Sequence, residues 1–299
     1  MKGIQKFESI SDYNKSLGLE TLHPLVTIVD FSKIIKEQEY PEGHSFGYYT
    51  VFLKDARCGD IKYGRNYYDY QEGTLVFLAP NQVVTIENRS PHRPKGWSLM
   101  FHPDLLKGTS LAKSMKDYSF FSYEVFEALH LSEQERLIVL ECLNNIRIEL
   151  NHSIDKHSQR LIVSNIELFL NYCTRFYDRQ FITRSHVNSD LLSRFENLLT
   201  DYFRSELPQK MGLPTVKYCA ERLNLSPNYL GDLLKKETGK SAQEHVQLKL
   251  IDTAKEKIFE KDKSVSQIAY ELGFEYPQYF SRLFKKRTGM TPNQYRTIR

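Results

Sequence analysis

Gln278 and Arg282 stand four residues apart in PQYFSRLFKKRTG, residues 277–289, so on a helix they share one face a turn apart. A glutamine so placed can pair with adenine through two hydrogen bonds, and an arginine can donate two to guanine O6 and N7. Ser281 lies on the same face. Lys285, Lys286 and Arg287 follow near the helix end, where long cations suit phosphate oxygens and set affinity rather than sequence preference.

On one helix such residues are ordinarily just solvated. A second copy changes the weighting: PNYLGDLLKKETG, residues 227–239, is identical at seven of thirteen positions. It places Asn228, Gly231 and Asp232 on the base-facing side, with Lys235 and Lys236 as its phosphate candidates. Asp232 repels phosphate but can accept from cytosine N4, which makes the first copy the weaker reader.

Each copy needs a leading helix and a tight turn. Val216, Ala220 and Leu223 align with Val265, Ala269 and Leu272, and Pro227 and Pro277 stand where a missing N–H costs a helix start nothing. Gly273 supplies a turn residue free to take positive φ. Leu230, Leu233 and Leu234, like Phe280, Leu283 and Phe284, are expected to form the cores. The spacing predicts one helix-turn-helix over about 215–237 and another over about 264–287. Between them Val246, Leu248, Leu250, Ile251, Ala254 and Ile258 predict a linking helix over about 242–257. A rigid link matters because successive major-groove faces on one side of B-DNA are ~34 Å apart.

The region 216–296 resembles the AraC/XylS-type DNA-binding domain. The resemblance rests on the tandem units, the linking helix and the closing pattern Gly273, Phe274, Tyr279, Phe280, Arg282, Phe284, Lys285, Lys286, Gly289, Pro292, Tyr295 and Arg296. It implies a transcription regulator whose base readers fall on Asn228, Gly231, Asp232, Gln278 and Arg282. Gly231 and Asp232 depart from the larger or basic donors common at those positions. The resemblance further implies a cupin-like front domain that senses a small molecule and contributes dimer helices.

The front half carries its own pattern. LVTIVDF, FGYYTVFLKD, GDIKYG, GTLVFLAP, QVVTIEN and GWSLMFH, within residues 25–103, read as strands of a sandwich or barrel. Ser132 and Glu135 have capping-box spacing and open a helix to about Leu150, and a second helix is expected over about 156–178. These two either cap the sheets or hold a partner subunit. FITRSHVNS, residues 181–189, loses both periods and is read as the boundary, with a further helix from about Asp190 to Ser205. The expected architecture is α+β and multidomain: a cupin-like β-barrel with two dimerisation-type helices over 1–183, then an all-α tandem helix-turn-helix domain over 188–299.

Tyr49, Tyr63, Tyr68, Tyr70 and Phe77 belong to a dense aromatic set that either lines an effector pocket or fills a small barrel. Enzymatic cupins gather closely spaced histidines and a carboxylate around a metal. The nine histidines here are scattered, so no metal, no cofactor and no catalytic group is expected. The contrasting class is a cupin-type enzyme fused to a DNA-binding module. A third reading, alkyl-group acceptance by a cysteine, needs an activated thiolate, and none of Cys58, Cys142, Cys173 and Cys219 adjoins a basic or His-rich motif.

Composition sets outer bounds. At 299 residues with 40% hydrophobic and 26% charged residues, the chain has the make-up of a globular protein with room for two cores. The polar start lacks a signal-like apolar segment, and no apolar run reaches the ~18 residues that span a bilayer. A cytoplasmic location is therefore expected, with reduced cysteines. Of the net charge of +4, the excess lies at the back: residues 188–299 hold 19 basic against 14 acidic side chains. The expected partners are double-stranded DNA, a second copy of the chain, a small-molecule effector and, for an activator, RNA polymerase; a membrane is not among them.

Overall fold

The computed structural model describes residues 4–34, 43–54, 60–63, 66–68, 73–87, 95–124, 127–183, 185–260 and 262–297; at 60–63, 66–68, 85–87 and 185–187 it describes backbone alone. The chain divides into two compact units, Met1–Thr183 and Arg184–Arg299.

The first unit is α+β. Its strands are β1 (Ile4–Phe7), β2 (Val26–Asp30), β3 (Gly43–Phe46), β4 (Tyr49–Lys54), β5 (Asp60–Tyr63), β6 (Asn66–Tyr68), β7 (Thr74–Leu78), β8 (Val83–Glu87), β9 (Gly96–Phe101) and β10 (Leu129–His130). One sheet runs β1-β3-β8-β5-β6 and the other β10-β7-β4-β9-β2. Pairing is antiparallel except between β1 and β3. The sheets face one another: Phe7, Phe46 and Val84 from the first share a core with Val29, Val76, Leu78 and Met100 from the second. Helix α1 (Ile10–Leu17) adds Ile10, Tyr13 and Leu17 to that core. It is bounded by Ser9, whose hydroxyl accepts from the Asp12 N–H, and by Gly18 at φ 73°.

The second sheet is covered on both faces. Thr50, Phe52, Val76, Leu78, Ser98 and Met100 are in register on the side turned to the first sheet. The alternate residues Val51, Leu53, Leu75, Phe77, Leu99 and Phe101 are on the opposite side. There Phe77 meets Phe120, Phe121 and Tyr177 at ring separations of 4.5, 5.5 and 6.1 Å. Such a two-sided burial explains why these strands read as continuous apolar runs.

A helical layer follows in the chain as α2 (Ser110–Ser114), α3 (Glu133–Asn151) and α4 (Ser158–Thr183). The Ser132–Glu135 capping box is formed as the spacing predicts. Arg179 on α4 ties the layer together, its guanidinium donating to both Glu135 carboxylate oxygens at 3.0 and 2.6 Å and to the His130 carbonyl at 2.7 Å.

The second unit is helical: α5 (Ser185–Arg204), α6 (Leu207–Met211), α7 (Val216–Leu223), α8 (Pro227–Thr238), α9 (Ala242–Lys257), α10 (Val265–Glu271), α11 (Pro277–Thr288) and α12 (Pro292–Arg296). The two units part between Thr183 and Arg184, inside the stretch 181–189. Helix α5 begins at Ser185, ahead of the expected start near Asp190, so the helical period sets in while the sequence is still polar.

Candidate nucleic-acid interface

Helix α8 begins at Ser226, whose hydroxyl accepts from the Tyr229 N–H at 3.1 Å, and ends at Gly239 with φ 71°. Helix α11 ends likewise at Gly289, φ 80°, but its N-cap is Tyr276, whose side chain makes no capping bond. Both last turns are basic, with Lys235 and Lys236 on α8 and Lys285, Lys286 and Arg287 on α11, which complements the helix dipoles. The linking helix α9 occupies 242–257 as its spacing predicts, opened by a capping box of Ser241 and Glu244. The turn glycine Gly273 takes φ 91°.

The second copy presents its polar residues outward. Gln278, Arg282, Lys285, Lys286 and Arg287 are exposed and Ser281 is half-buried, while Phe280 and Phe284 are fully buried beneath them. Leu283, expected in the core, is half-buried, because it flanks rather than centres the inward stripe. Arg287 also donates to the Gln247 side chain of α9 at 2.6 Å, fastening α11 to the linking helix. The Arg282 guanidinium carbon lies 5.9 Å from the centre of the Tyr279 ring.

The first copy is more enclosed. Asn228, Lys235 and Lys236 are exposed, but Gly231 and Asp232 are half-buried. Helix α5 packs on α7, α8 and α9, and buried Asn188 on α5 donates to Glu237 on α8 at 2.7 Å. The two copies part company at the tyrosine they share: Tyr229 is 5% exposed and Tyr279 54%. The sequence marks Tyr279 only as part of the closing pattern, with no contact role for it, and gives none to Tyr229 or to Tyr276, which is 48% exposed. Spacing gives no sign of the difference, since both tyrosines precede the same apolar stripe.

Charge in the second copy is paired around its leading helix, α10. Lys263 pairs with Glu260 at 2.8 Å and with Glu271 at 2.7 Å, and Lys257 reaches Glu271 at 3.0 Å. Burial alone would raise the Glu271 carboxyl, but hydrogen bonds from Lys263 and Lys257 outweigh it and hold its pKa below the ordinary value.

The aromatic pocket expectation is corrected in part. Tyr49 and Phe77 do not face the space between the sheets. They are on the outer side of the second sheet, where Tyr49 stacks on Phe101 at 5.2 Å and meets Phe121 at 4.9 Å. Helices cover that side too, so both sides of these strands are buried and the position of an aromatic residue in the alternation gives no direction. Tyr70 lies outside the described residues, as do the side chains of Tyr63 and Tyr68. What does face the inter-sheet space is polar in part: the Tyr48, Thr50 and Ser98 side chains are fully buried, and their hydroxyls have no hydrogen-bond partner among the described residues.

Among the described residues no group of three or more His, Cys, Asp or Glu is placed to hold a metal ion, and no helix is long and apolar enough to cross a membrane. His44 packs against Phe7 and Phe46, and His102 accepts from the Asp104 N–H at 3.1 Å. Burial pushes the thiols of Cys142 and Cys219 up to about 11 and that of Cys173 well above its ordinary value, so all three stay protonated at neutral pH. Cys58 lies outside the described residues.

Residues 219–298 match the family model described as a helix-turn-helix domain. The chain is 37% identical over 113 residues to the transcriptional regulatory protein YesN of Bacillus subtilis (strain 168), covering 36% of this chain and 28% of that protein. It is 25% identical over 262 residues to the HTH-type transcriptional regulator YfiF of the same organism, covering 85% of this chain and 78% of that one. Among solved structures, the C-terminal domain of AraT, a response regulator from Geobacillus stearothermophilus, is 30% identical over 36% of this chain and 85% of its own, with a TM-score of 0.32.

Proposed function

We infer, from the AraC-type helix-turn-helix domain that its C-terminal region carries, that the chain is a DNA-binding transcription regulator acting on specific sites in double-stranded DNA. One observation carries the reading: Gln278 and Arg282 stand exposed a turn apart on the second helix of a duplicated unit, with Lys285 and Lys286 exposed behind them. In this reading α11 is the principal reader, through Gln278, Ser281 and Arg282. Helix α8 contributes Asn228, with Gly231 and Asp232 close to the groove. Lys235, Lys236, Lys285, Lys286 and Arg287 hold phosphates, Arg287 with the donors it does not give to Gln247.

The front unit is read as a cupin-like sensor. Buried hydroxyls without partners each cost ~1–3 kcal/mol, and a small molecule bearing hydrogen-bonding groups would recover that at Tyr48, Thr50 and Ser98. The unit also supplies a dimer surface: Leu161 and Leu168 on α4 are two turns apart and 48% and 46% exposed, and Leu137 and Ile148 on α3 are 58% and 49% exposed. The regulator works in the cytoplasm without a catalytic role, and meets RNA polymerase where it activates.

The test is competition. The full chain should bind duplexes selected from a random pool at least about a thousandfold more tightly than bulk DNA at one fixed salt concentration. Equal affinity for both would refute the reading.

A further inference from the structure

The two copies of the repeat provide an internal control for what an exposed residue on the second helix is doing. Tyr229 and Tyr279 hold one repeat position at one angle on their helices, next to Leu230 and Phe280, which are both buried. In the first copy the tyrosine completes the core, in the helix that α5 covers. In the second it is left out: Tyr279 is 54% exposed and Tyr276 beside it 48%, their rings edge to face at 5.8 Å and 88°. Two large aromatics in solvent at the start of a recognition helix forgo burial of the kind Tyr229 obtains.

Their location says what would cover them. The N-terminal residues of a recognition helix are those that reach base edges. Tyr279 is three residues before Arg282, and its ring lies within cation–π range of that guanidinium at 5.9 Å. A ring held at the groove floor beside a guanine-reading arginine has one apolar target among the base edges, the C5 methyl of thymine.

We propose that Tyr279 is a specificity-determining residue that packs its ring on a thymine methyl next to the base pair read by Arg282, while steering the Arg282 guanidinium. This rests on the DNA-binding reading above. The ring face, not the hydroxyl, does the work, so phenylalanine substitutes for tyrosine and alanine does not.

The experiment measures binding of the full chain to its selected duplex, replacing each thymine in turn by uracil, which differs by that methyl alone. One replacement should weaken wild-type binding about fourfold, the value of one buried carbon. Y279F should keep that penalty, and Y279A should bind thymine and uracil duplexes alike and discriminate less at the guanine read by Arg282. If Y279F behaves like Y279A, or if Y279A loses affinity equally on every sequence, the hydroxyl is gripping a phosphate and the proposal fails. If Y279A keeps the uracil penalty unchanged, it fails as well. A wild-type chain that selects no sequence overturns the DNA-reading function along with it, whereas the other failures leave that function standing.

Discussion

Asn224 and Gly273 fill one position of the repeat and both take a left-handed backbone, φ 58° and 91°, but Asn224 is exposed whereas Gly273 has other backbone pressed against it. A Cβ there would lie 2.8 Å from the Pro208 carbonyl oxygen and 2.8 Å from the Gly212 carbonyl carbon. Asparagine tolerates this φ, so the turn chemistry of the first copy would serve the second if space allowed. The α6 segment removes that space, and Tyr202 fixes it in place by donating its hydroxyl to the Gly212 carbonyl at 2.9 Å.

Gly273→Asn should therefore destabilise the protein although it copies the sister repeat. A loss of ~2 kcal/mol or more is expected, since the clash is with main chain that cannot rotate away. Asn224→Gly should change stability by less than ~1 kcal/mol, since glycine takes this φ freely and costs only unfolded-chain entropy. Denaturant unfolding of both variants checks this, and equal effects would contradict it.

Gly231→Ala should go the other way. Gly231 sits inside α8 with nothing within 4 Å of an added Cβ, so alanine should stabilise the chain by ~0.5–1 kcal/mol. The midpoint of thermal unfolding reports it.

Much of this was legible before any coordinates. The strands between 25 and 103 announce themselves as β-branched and aromatic runs between turn residues. The duplication exposes the helix-turn-helix units because each copy interprets the other. What stayed hidden depends on neighbours. Tyr229 and Tyr279 share a local pattern, yet one is buried and the other exposed. Tyr49 and Phe77 look like pocket residues until the second sheet proves to be covered on both faces. Helix α1 was the avoidable miss, since Ser9, Asp12 and Gly18 bracket it with the usual start and stop signals.

Arg282→Ala should weaken binding to the selected duplex by ~1–3 kcal/mol and relax preference at a single base pair. Lys285→Ala should weaken all sequences alike and lower the slope of log affinity against log salt by about one. Titrations of matched and scrambled duplexes at several salt concentrations separate the two, and identical behaviour would overturn the division between readers and phosphate contacts.

Acid should loosen the second unit through Glu271. Its pKa in the folded state lies below the ordinary value of 4.5, so the folded protein binds fewer protons there than the unfolded chain. The stabilisation is complete above that ordinary value and disappears as pH falls through the lower, folded one. Glu271→Gln should flatten this acid limb of the stability curve, and an unaltered limb would show that the pairs with Lys263 and Lys257 contribute nothing.

If α3 and α4 pair subunits, charge on their exposed apolar residues should separate them. Leu161→Glu combined with Leu168→Glu should shift sedimentation from dimer to monomer while the circular dichroism spectrum is retained. A wild-type chain that is already monomeric at micromolar concentration would remove the dimer surface from the account.

The central claim is that α8 and α11, held by α9, enter successive turns of one duplex face. Its most direct test inserts about five base pairs, half a helical turn, between the two contacted segments of the selected site. The account predicts that the insertion abolishes most of the preference over bulk DNA and that insertion of about ten does not restore it, because one chain has a fixed span. Undiminished affinity for the half-turn insertion would contradict it.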